Sequence, residues 1–407
     1  MARTVIHGAT LVLPDHICYG GMIFEEGMLK EIFEEATQLQ PINLQSDDVT
    51  SVWDMKGDVI LPGLIDTHVH GAGGCDVMDG TTESLQTLAE VLLHEGTTSF
   101  LPTTMSCSAE KMKRVLQNVA DFHGGHAQGA EILGLHLEGP FLAKAFRGAQ
   151  AAETIWDEAK AGSVQFLANL LQEFPDLVKI LTFAPERPDG RALSELCLAQ
   201  GVIPSAGHTA ADFAQMEQAL QWGVRHITHA FNAMPGIHHR NPGLLTKAFL
   251  EDTITLEIIA DGVHIHPAVL ELALRNKSPE RVCLISDGTR AVGMPEGEYE
   301  LGGQTTFVRQ GMALLSDGTI AGSAYPLRQG LKILVQELQY SLPQAVRYAT
   351  LNPAKLLGID HRVGSLEINK QATFIRLSKN FDIKQVWLQG KLVCKPSKAK
   401  EIKRRGN

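Results

Sequence analysis

The sequence predicts an α/β protein: a (β/α)8 TIM barrel with a second, small β domain built from its N- and C-terminal segments. Three features point there. Eight short apolar runs recur through the middle of the chain, each ending in polar or histidine-bearing residues. Amphipathic stretches such as TTESLQTLAEVLLHEG and TAADFAQMEQALQWG lie between several of them. The two ends break instead into short alternating runs punctuated by glycine. Repeated strand-then-helix units give parallel strands with helices outside, and eight such units close a barrel.

The elements follow in order. Residues 1–57 hold the first part of the small domain, with TVIHGATLVL and GGMIFEEGMLKEIF as strands. The barrel is expected over 58–360. Its strands are DVILPGLIDTHVH, TTSFLPTT, EILGLHLEGP, LVKILTFAPE, VIPSAGHT, RHITHAFNAM, ITLEIIADGVHIH and RVCLISDGTR. GEYELGG and LLSDGTIAGSA predict a β insertion around 297–323, followed by helical stretches around 327–340 and 343–357. Residues 361–407 return to strands and close the small domain. The basic tail CKPSKAKEIKRRGN reads as a solvated end.

Composition narrows the function. A net charge of −10 over 407 residues argues against a nucleic-acid partner, while leaving room for a small anionic substrate. The six cysteines are scattered and form no C-x-x-C pair, as expected for reduced thiols in a cytoplasmic protein. The first residues, MARTVIHGATLVLPDH, carry no long apolar core of a signal peptide. No apolar run is long enough to span a membrane, so no membrane partner is expected.

In such a barrel, chemistry gathers at the C-terminal ends of the strands. The first strand offers His68 and His70, the third Glu138, the fifth His208, the sixth His229 and the eighth Asp287. Residues i and i+2 of a strand share a face, so His68 and His70 aim two imidazoles at one point, an arrangement that suits a transition metal. Each of the six has an ordinary structural reading alone; an aspartate before a glycine, as at Asp287, is turn chemistry. Six at one barrel mouth favour a metal site.

Other motifs carry less. GAGG at 71–74 lacks the G-x-G-x-x-G spacing of a dinucleotide loop. HEGTT at His94 is not H-E-x-x-H, because position 98 is threonine. His136 shares a strand face with Glu138 and is assigned to support or core. His226 precedes His229 by three, is expected on the opposite face, and is assigned to packing. His238 and His239 read as surface loop histidines.

PGLIDTHVHG, TSFLPTT, GLHLEGPF, GHT, THAFNAM, ADGVHIHP and SDGTRAVGMPEG together resemble the N-acetylglucosamine-6-phosphate deacetylases of the amidohydrolase superfamily, across nearly the whole chain. The pairing of LHLEGPF with THAFNAM points to this family within the superfamily. The resemblance implies that Glu138, His208 and His229 hold one divalent ion, and that His68 and His70, sharing Glu138, hold a second. His and carboxylate ligands accept Zn, Fe, Mn, Co or Ni. It implies Asp287 as the acid–base residue. It places Asn232, Ala233, Arg240 and His264 on the phosphosugar, with Arg240 acting in its own subunit or across the boundary of a homodimer.

Two departures matter. Many superfamily members bridge two metals with a carbamylated lysine ending strand four; here the only lysine of that strand, Lys179, comes early, and Glu138 looks like the substitute. Some one-metal relatives carry a histidine after EGP where this chain has Gln150, and those tend to lack the His-x-His pair. A two-metal site fits the exchange, and Gln150 could donate a hydrogen bond to the substrate. The rivals are an N-acetylgalactosamine-6-phosphate deacetylase, another amidohydrolase acting on a cyclic amide or as a deaminase, and a barrel kept only as a binding scaffold. The last should have lost ligands or the acid–base residue, and all six are present.

Overall fold

A computed structural model describes residues 3–34, 49–123, 129–156 and 162–394. The basic tail beyond Cys394 lies outside them, as does 35–48 of the N-terminal segment. The barrel strands are β1 Leu64–Val69, β2 Thr97–Pro102, β3 Leu135–Glu138, β4 Val178–Phe183, β5 Ile203–Ala206, β6 His226–Ile227, β7 Thr255–Ile259 and β8 Val282–Ile285. Strands β3 to β8 pair in parallel, in order, and β1 pairs in parallel with β2. The two arcs meet where Thr103 bridges His136 and where Val69 bridges Gly288. At the second seam the Asp287 amide donates to the His68 carbonyl (3.0 Å) and the His70 amide to the Gly288 carbonyl (2.8 Å). With helices outside and side chains inside, both strand faces are buried. The strands are therefore near-continuous apolar runs, as in the wholly buried β7.

The flanking helices are set by their ends. Helix α1 (Thr82–His94) is capped by Thr81, whose hydroxyl accepts from the Ser84 amide, and it buries Leu85, Leu88, Ala89 and Leu92 at helical spacing. Helix α2 is Ala109–His123, α3 Ser163–Glu173 and α4 Gly190–Ala199. Helix α5 (Phe213–Gln221) opens with a capping box between Asp212 and Gln215. Helix α6 is Leu244–Leu250, and α7 (Pro267–Asn276) begins on a proline.

Two expected strands divide. EILGLHLEGP gives Glu131–Ile132, paired in parallel with β2, and then β3. DVILPGLIDTHVH divides at Gly63: Val59–Pro62 joins the small sheet, and Leu64–Val69 starts the barrel. Hydrophobicity does not mark the border, because Ile60, Leu61 and Leu64 are all fully buried. Gly63 packs so closely on β2 that a Cβ there would lie 2.1 Å from the Thr98 hydroxyl oxygen. The small sheet runs Lys391–Cys394, Ile383–Leu388, Phe374–Leu377, Val59–Pro62, Arg3–Val12, Ile17–Glu25, Met28–Glu34, with Val49–Asp54 also paired to Arg3–Val12. Segments from both ends of the chain thus share one sheet, with Phe24, Phe374 and Trp387 packed together in its core.

After β8 the chain forms a four-stranded antiparallel insertion, Gly297–Leu301, Gln304–Arg309, Met312–Leu315 and Ile320–Ser323. It is tied back to the barrel mouth where the Ser323 amide donates to the Asp287 carbonyl (2.8 Å). Helix α8 (Arg328–Lys332) continues into a wider turn at Ile333–Glu337, and α9 (Leu342–Tyr348) and α10 (Leu351–Leu356) complete the barrel's outer layer.

Candidate active site

The six strand-end residues converge. His68 is the penultimate residue of β1 and His70 follows its end; Glu138 is the last residue of β3; His208, His229 and Asp287 each lie two residues past β5, β6 and β8. The last three adopt left-handed backbone, with φ of 47°, 30° and 49°. An L-residue takes that conformation at some cost, and such positions collect at functional sites. Here the turn swings each side chain back over the barrel mouth.

The imidazoles meet edge to edge. Nε2 of His68 and of His70 are 3.3 Å apart, and Nε2 of His208 and of His229 are 3.1 Å apart. Two nitrogens bound tetrahedrally to one ion at about 2.0–2.1 Å stand about 3.3–3.4 Å apart, so both pairs have the spacing of metal ligands. Three Nδ1 atoms face outward: His68 toward Glu257 (3.2 Å), His70 toward the Thr103 carbonyl (3.2 Å) and His208 toward the Phe146 carbonyl (3.0 Å). Donation from Nδ1 reserves Nε2 for the metal, the orientation a ligand needs.

Glu138 joins the two pairs. Its Oε1 lies 3.3 Å from Nε2 of His208 and 3.1 Å from that of His229, and its Oε2 lies 3.5 Å from that of His70. Among the described residues three groups have the spacing to hold an ion: Glu138–His208–His229 and His68–His70–Asp287 at the mouth, and a deeper set, His68–His136–Glu257, in which both His136 nitrogens are already hydrogen-bonded. Asp287 extends the second beyond the expected His-x-His pair, with Oδ1 3.2 Å from Nε2 of His70 and 3.5 Å from that of His68.

Charge follows burial and proximity. Burial alone would raise both carboxyls. The imidazoles of His208 and His68 around Glu138, and of His68 and His70 around Asp287, outweigh it and hold both well below the usual carboxylate range. Burial pushes His68 down to about 4. Burial also opposes the charge on His70, but the hydrogen bond to Asp287 and the nearby Glu138 raise it to about 9.

Above these groups opens a cavity of about 230 Å³. Asn232, Ala233, His264 and Gln150 all line it, and Met105, Leu301 and Ile320 form an apolar wall that the insertion helps supply. His264 is held by Asp261, whose Oδ2 lies 2.8 Å from its Nδ1 and also accepts from the Ser323 hydroxyl (2.7 Å). Gln150 donates to Glu138 Oε2 (2.7 Å), and its carbonyl accepts from the Ser106 amide (2.8 Å). One amide N–H thus orients the glutamate, and the side chain still lines the cavity. Arg240 is exposed, in the exposed stretch 236–240, and is not part of the cavity wall of its own chain.

Beneath the mouth the barrel is polar. His136 bonds the Thr67 carbonyl (3.1 Å) and the Thr182 hydroxyl (2.7 Å), a core role. His226 does not face away from His229. Strand β6 is only two residues long, so strand parity fails, and Nδ1 of His226 meets the Ser205 hydroxyl (2.9 Å) inside the barrel. Glu257 and Asp261 are the residues the sequence reading passed over. The signal for Glu257 was present: a lone charge in the apolar run TLEII, which has to have a buried partner.

A parallel (β/α)8 barrel with convergent histidines and carboxylates at its mouth defines a barrel hydrolase of the metal-binding class. The comparisons give the particular family: the chain belongs to the amidohydrolase family, whose profile matches residues 59–393, and within it to the N-acetylglucosamine-6-phosphate deacetylases. The Vibrio furnissii N-acetylglucosamine-6-phosphate deacetylase is 37% identical over 334 residues, covering 82% of each chain. An Escherichia coli O157:H7 N-acetylgalactosamine-6-phosphate deacetylase is 32% identical, over 84% of this chain and 89% of that one. Among solved structures, the N-acetylglucosamine-6-phosphate deacetylase of Pasteurella multocida superposes with a TM-score of 0.87 at 27% identity, covering 96% of this chain and 99% of that one. A variant of the Mycobacterium smegmatis enzyme in complex with N-acetyl-D-glucosamine-6-phosphate also gives 0.87 at 27% identity, covering 97% and 100%. No helix among the described residues is long and apolar enough to cross a membrane.

Proposed function

We propose that this chain removes the acetyl group from N-acetylglucosamine 6-phosphate, giving glucosamine 6-phosphate and acetate. The observation that carries this is the convergence of Glu138, His70, His208, His229 and Asp287 on one cavity, with His68 buried against them, in a chain 37% identical to a deacetylase of that substrate. The sister substrate, N-acetylgalactosamine 6-phosphate, has weaker support in the 32% relative.

We assign Glu138, His208 and His229 to one divalent ion and His68, His70 and Asp287 to a second. Bound there, such ions lower the pKa of a water and polarise a carbonyl. The chain's own groups do the rest. Asp287, held ionised among imidazoles, can accept a proton from the attacking water at Oδ2 or Oδ1 and return it to the departing amine. His264, fixed through Nδ1 by Asp261, presents Nε2 to the bound sugar. Asn232 and Ala233 border the cavity that would take the sugar, and Met105, Leu301 and Ile320 add apolar surface to it. Arg240 is assigned to the phosphate of a partner subunit's substrate, which accounts for its outward position. The deciding experiment measures acetate release on both 6-phosphosugars alongside metal analysis of the purified protein. Turnover of neither sugar by metal-replete protein would overturn the assignment.

A further inference from the structure

We propose that Glu257 is a positioning residue that fixes the His68 ring, so that the ion at His68–His70–Asp287 is held differently from the ion at Glu138–His208–His229. The inference rests on the two-ion reading above.

Glu257 lies on β7 and reaches across the barrel interior to β1, a strand that is not its neighbour in the sheet. It is fully buried. Oε1 accepts from the Thr67 hydroxyl (2.9 Å), and Oε2 faces Nδ1 of His68 at 3.2 Å. Nδ1–H donation to this carboxylate leaves Nε2 bare toward His70. The other rings lack such support: His70 and His208 rest on neutral carbonyls, and Nδ1 of His229 has no hydrogen-bond partner among the described residues. A carboxylate behind a ligand imidazole makes the ring more basic and holds its orientation; a carbonyl does so less. The surroundings prevent Glu257 from turning elsewhere. The His136 ring packs 4.6 Å from the His68 ring with both its nitrogens engaged, so it does not compete for the carboxylate. His226 offers only a distant Nε2, 3.8 Å from Oε1.

The test titrates chelator-stripped, full-length protein with Zn²⁺ against a chromophoric chelator. Wild type is expected to take two ions. In Glu257→Gln, one should bind about 10- to 100-fold more weakly, the usual effect of losing such a partner, while the other keeps its affinity. Two unchanged affinities, or two weakened alike, would overturn the proposal. Wild type taking one ion would instead sink the two-ion reading, and the inequality with it. Positioning is then decided by ¹⁵N NMR of His68 in metal-free wild type, which also serves if the variant does not fold. The Nδ1–H tautomer supports it, and the Nε2–H tautomer overturns it.

Discussion

Asp287 is bound to the His-x-His pair twice: its Oδ1 stands 3.2 Å from Nε2 of His70, and its amide donates to the His68 carbonyl at 3.0 Å. The side-chain contact belongs to the chemistry and the main-chain contact to the barrel seam. Asp287→Asn keeps the seam and removes the base. Its kcat should fall by about two to four orders of magnitude, the usual worth of a positioned acid–base group. Near-wild-type turnover, measured by acetate release, would remove Asp287 from that role. Metal analysis should still find the ion at Glu138–His208–His229.

Replacing His68 and His70 together by asparagine should lower the metal count from two toward one. Activity should drop with it, because the amide of Gln150, a neutral donor that already gives one N–H to Glu138, polarises a carbonyl less than a metal ion does. The melting temperature should also fall, since Glu257 loses its ring partner inside the barrel. An unchanged metal content would show that the pair is not a ligand set.

Metal uptake at His68–His70–Asp287 should strengthen with pH. His70 in the metal-free protein is raised to about 9 by Asp287 and Glu138, against the opposing effect of burial. Below that pH a proton must leave before an ion binds, so each unit of acidification weakens binding by about tenfold, and the gain levels off above about 9. Calorimetry in buffers of different ionisation enthalpy should find close to one proton released at this site near pH 7. Uptake without proton release would contradict the protonated state.

Arg240 should matter through the phosphate and across subunits. Arg240→Ala should lower kcat/KM for the 6-phosphosugar by about 2 kcal/mol or more, roughly thirtyfold, and leave the unphosphorylated sugar nearly untouched. Mixing Arg240→Ala chains with Asp287→Asn chains should restore activity, because one shared site in a mixed dimer is intact. Failure of complementation in demonstrated mixed dimers would return Arg240 to its own chain.

In the small sheet, Asp58 accepts from Arg376 (2.7 Å) and Lys384 (2.8 Å), residues 318 and 326 positions away. Burial opposes its charge, but these cations hold its carboxyl below the usual value. The resulting stability is present above the ordinary carboxylate pKa and is lost as pH falls through the depressed one. Asp58→Asn should cost about 1 kcal/mol at pH 7, since Lys384 is half-exposed and screened, and less at pH 3, below the ordinary carboxylate pKa. Equal destabilisation at both pH values in denaturant titrations would rule out the ionic origin.

The barrel was legible because a parallel strand buried on both faces writes itself as an apolar run, and all eight runs became strands. Its six strand-end residues were legible because strand ends are where such a fold puts polar side chains. What could not be read was anything that depends on backbone off the strand period. The division at Gly63 is invisible because residues on both sides are equally buried. The inward turn of His226 depends on a strand of only two residues. The exposure of Arg240 and the capture of Gln150 by Glu138 are tertiary facts with no local pattern. Glu257 is different, since a solitary carboxylate amid TLEII is a local anomaly that a search for unpaired charges in apolar runs would find.

Val59–Pro62 sits in the middle of the small sheet, with Arg3–Val12 on one side and Phe374–Leu377 on the other. During synthesis, the first of these neighbours leaves the ribosome before it and the second more than 300 residues later. Until then this strand presents an open edge directly upstream of the first barrel strand, and a growing chain has to keep that edge from pairing with another copy. Gly63 is the joint between this waiting strand and β1, so the barrel can close around its histidines while the small sheet is still unfinished. Assembly of the site would then run ahead of completion of the small sheet, with the last-made strands sealing the molecule after the reacting groups are already in register.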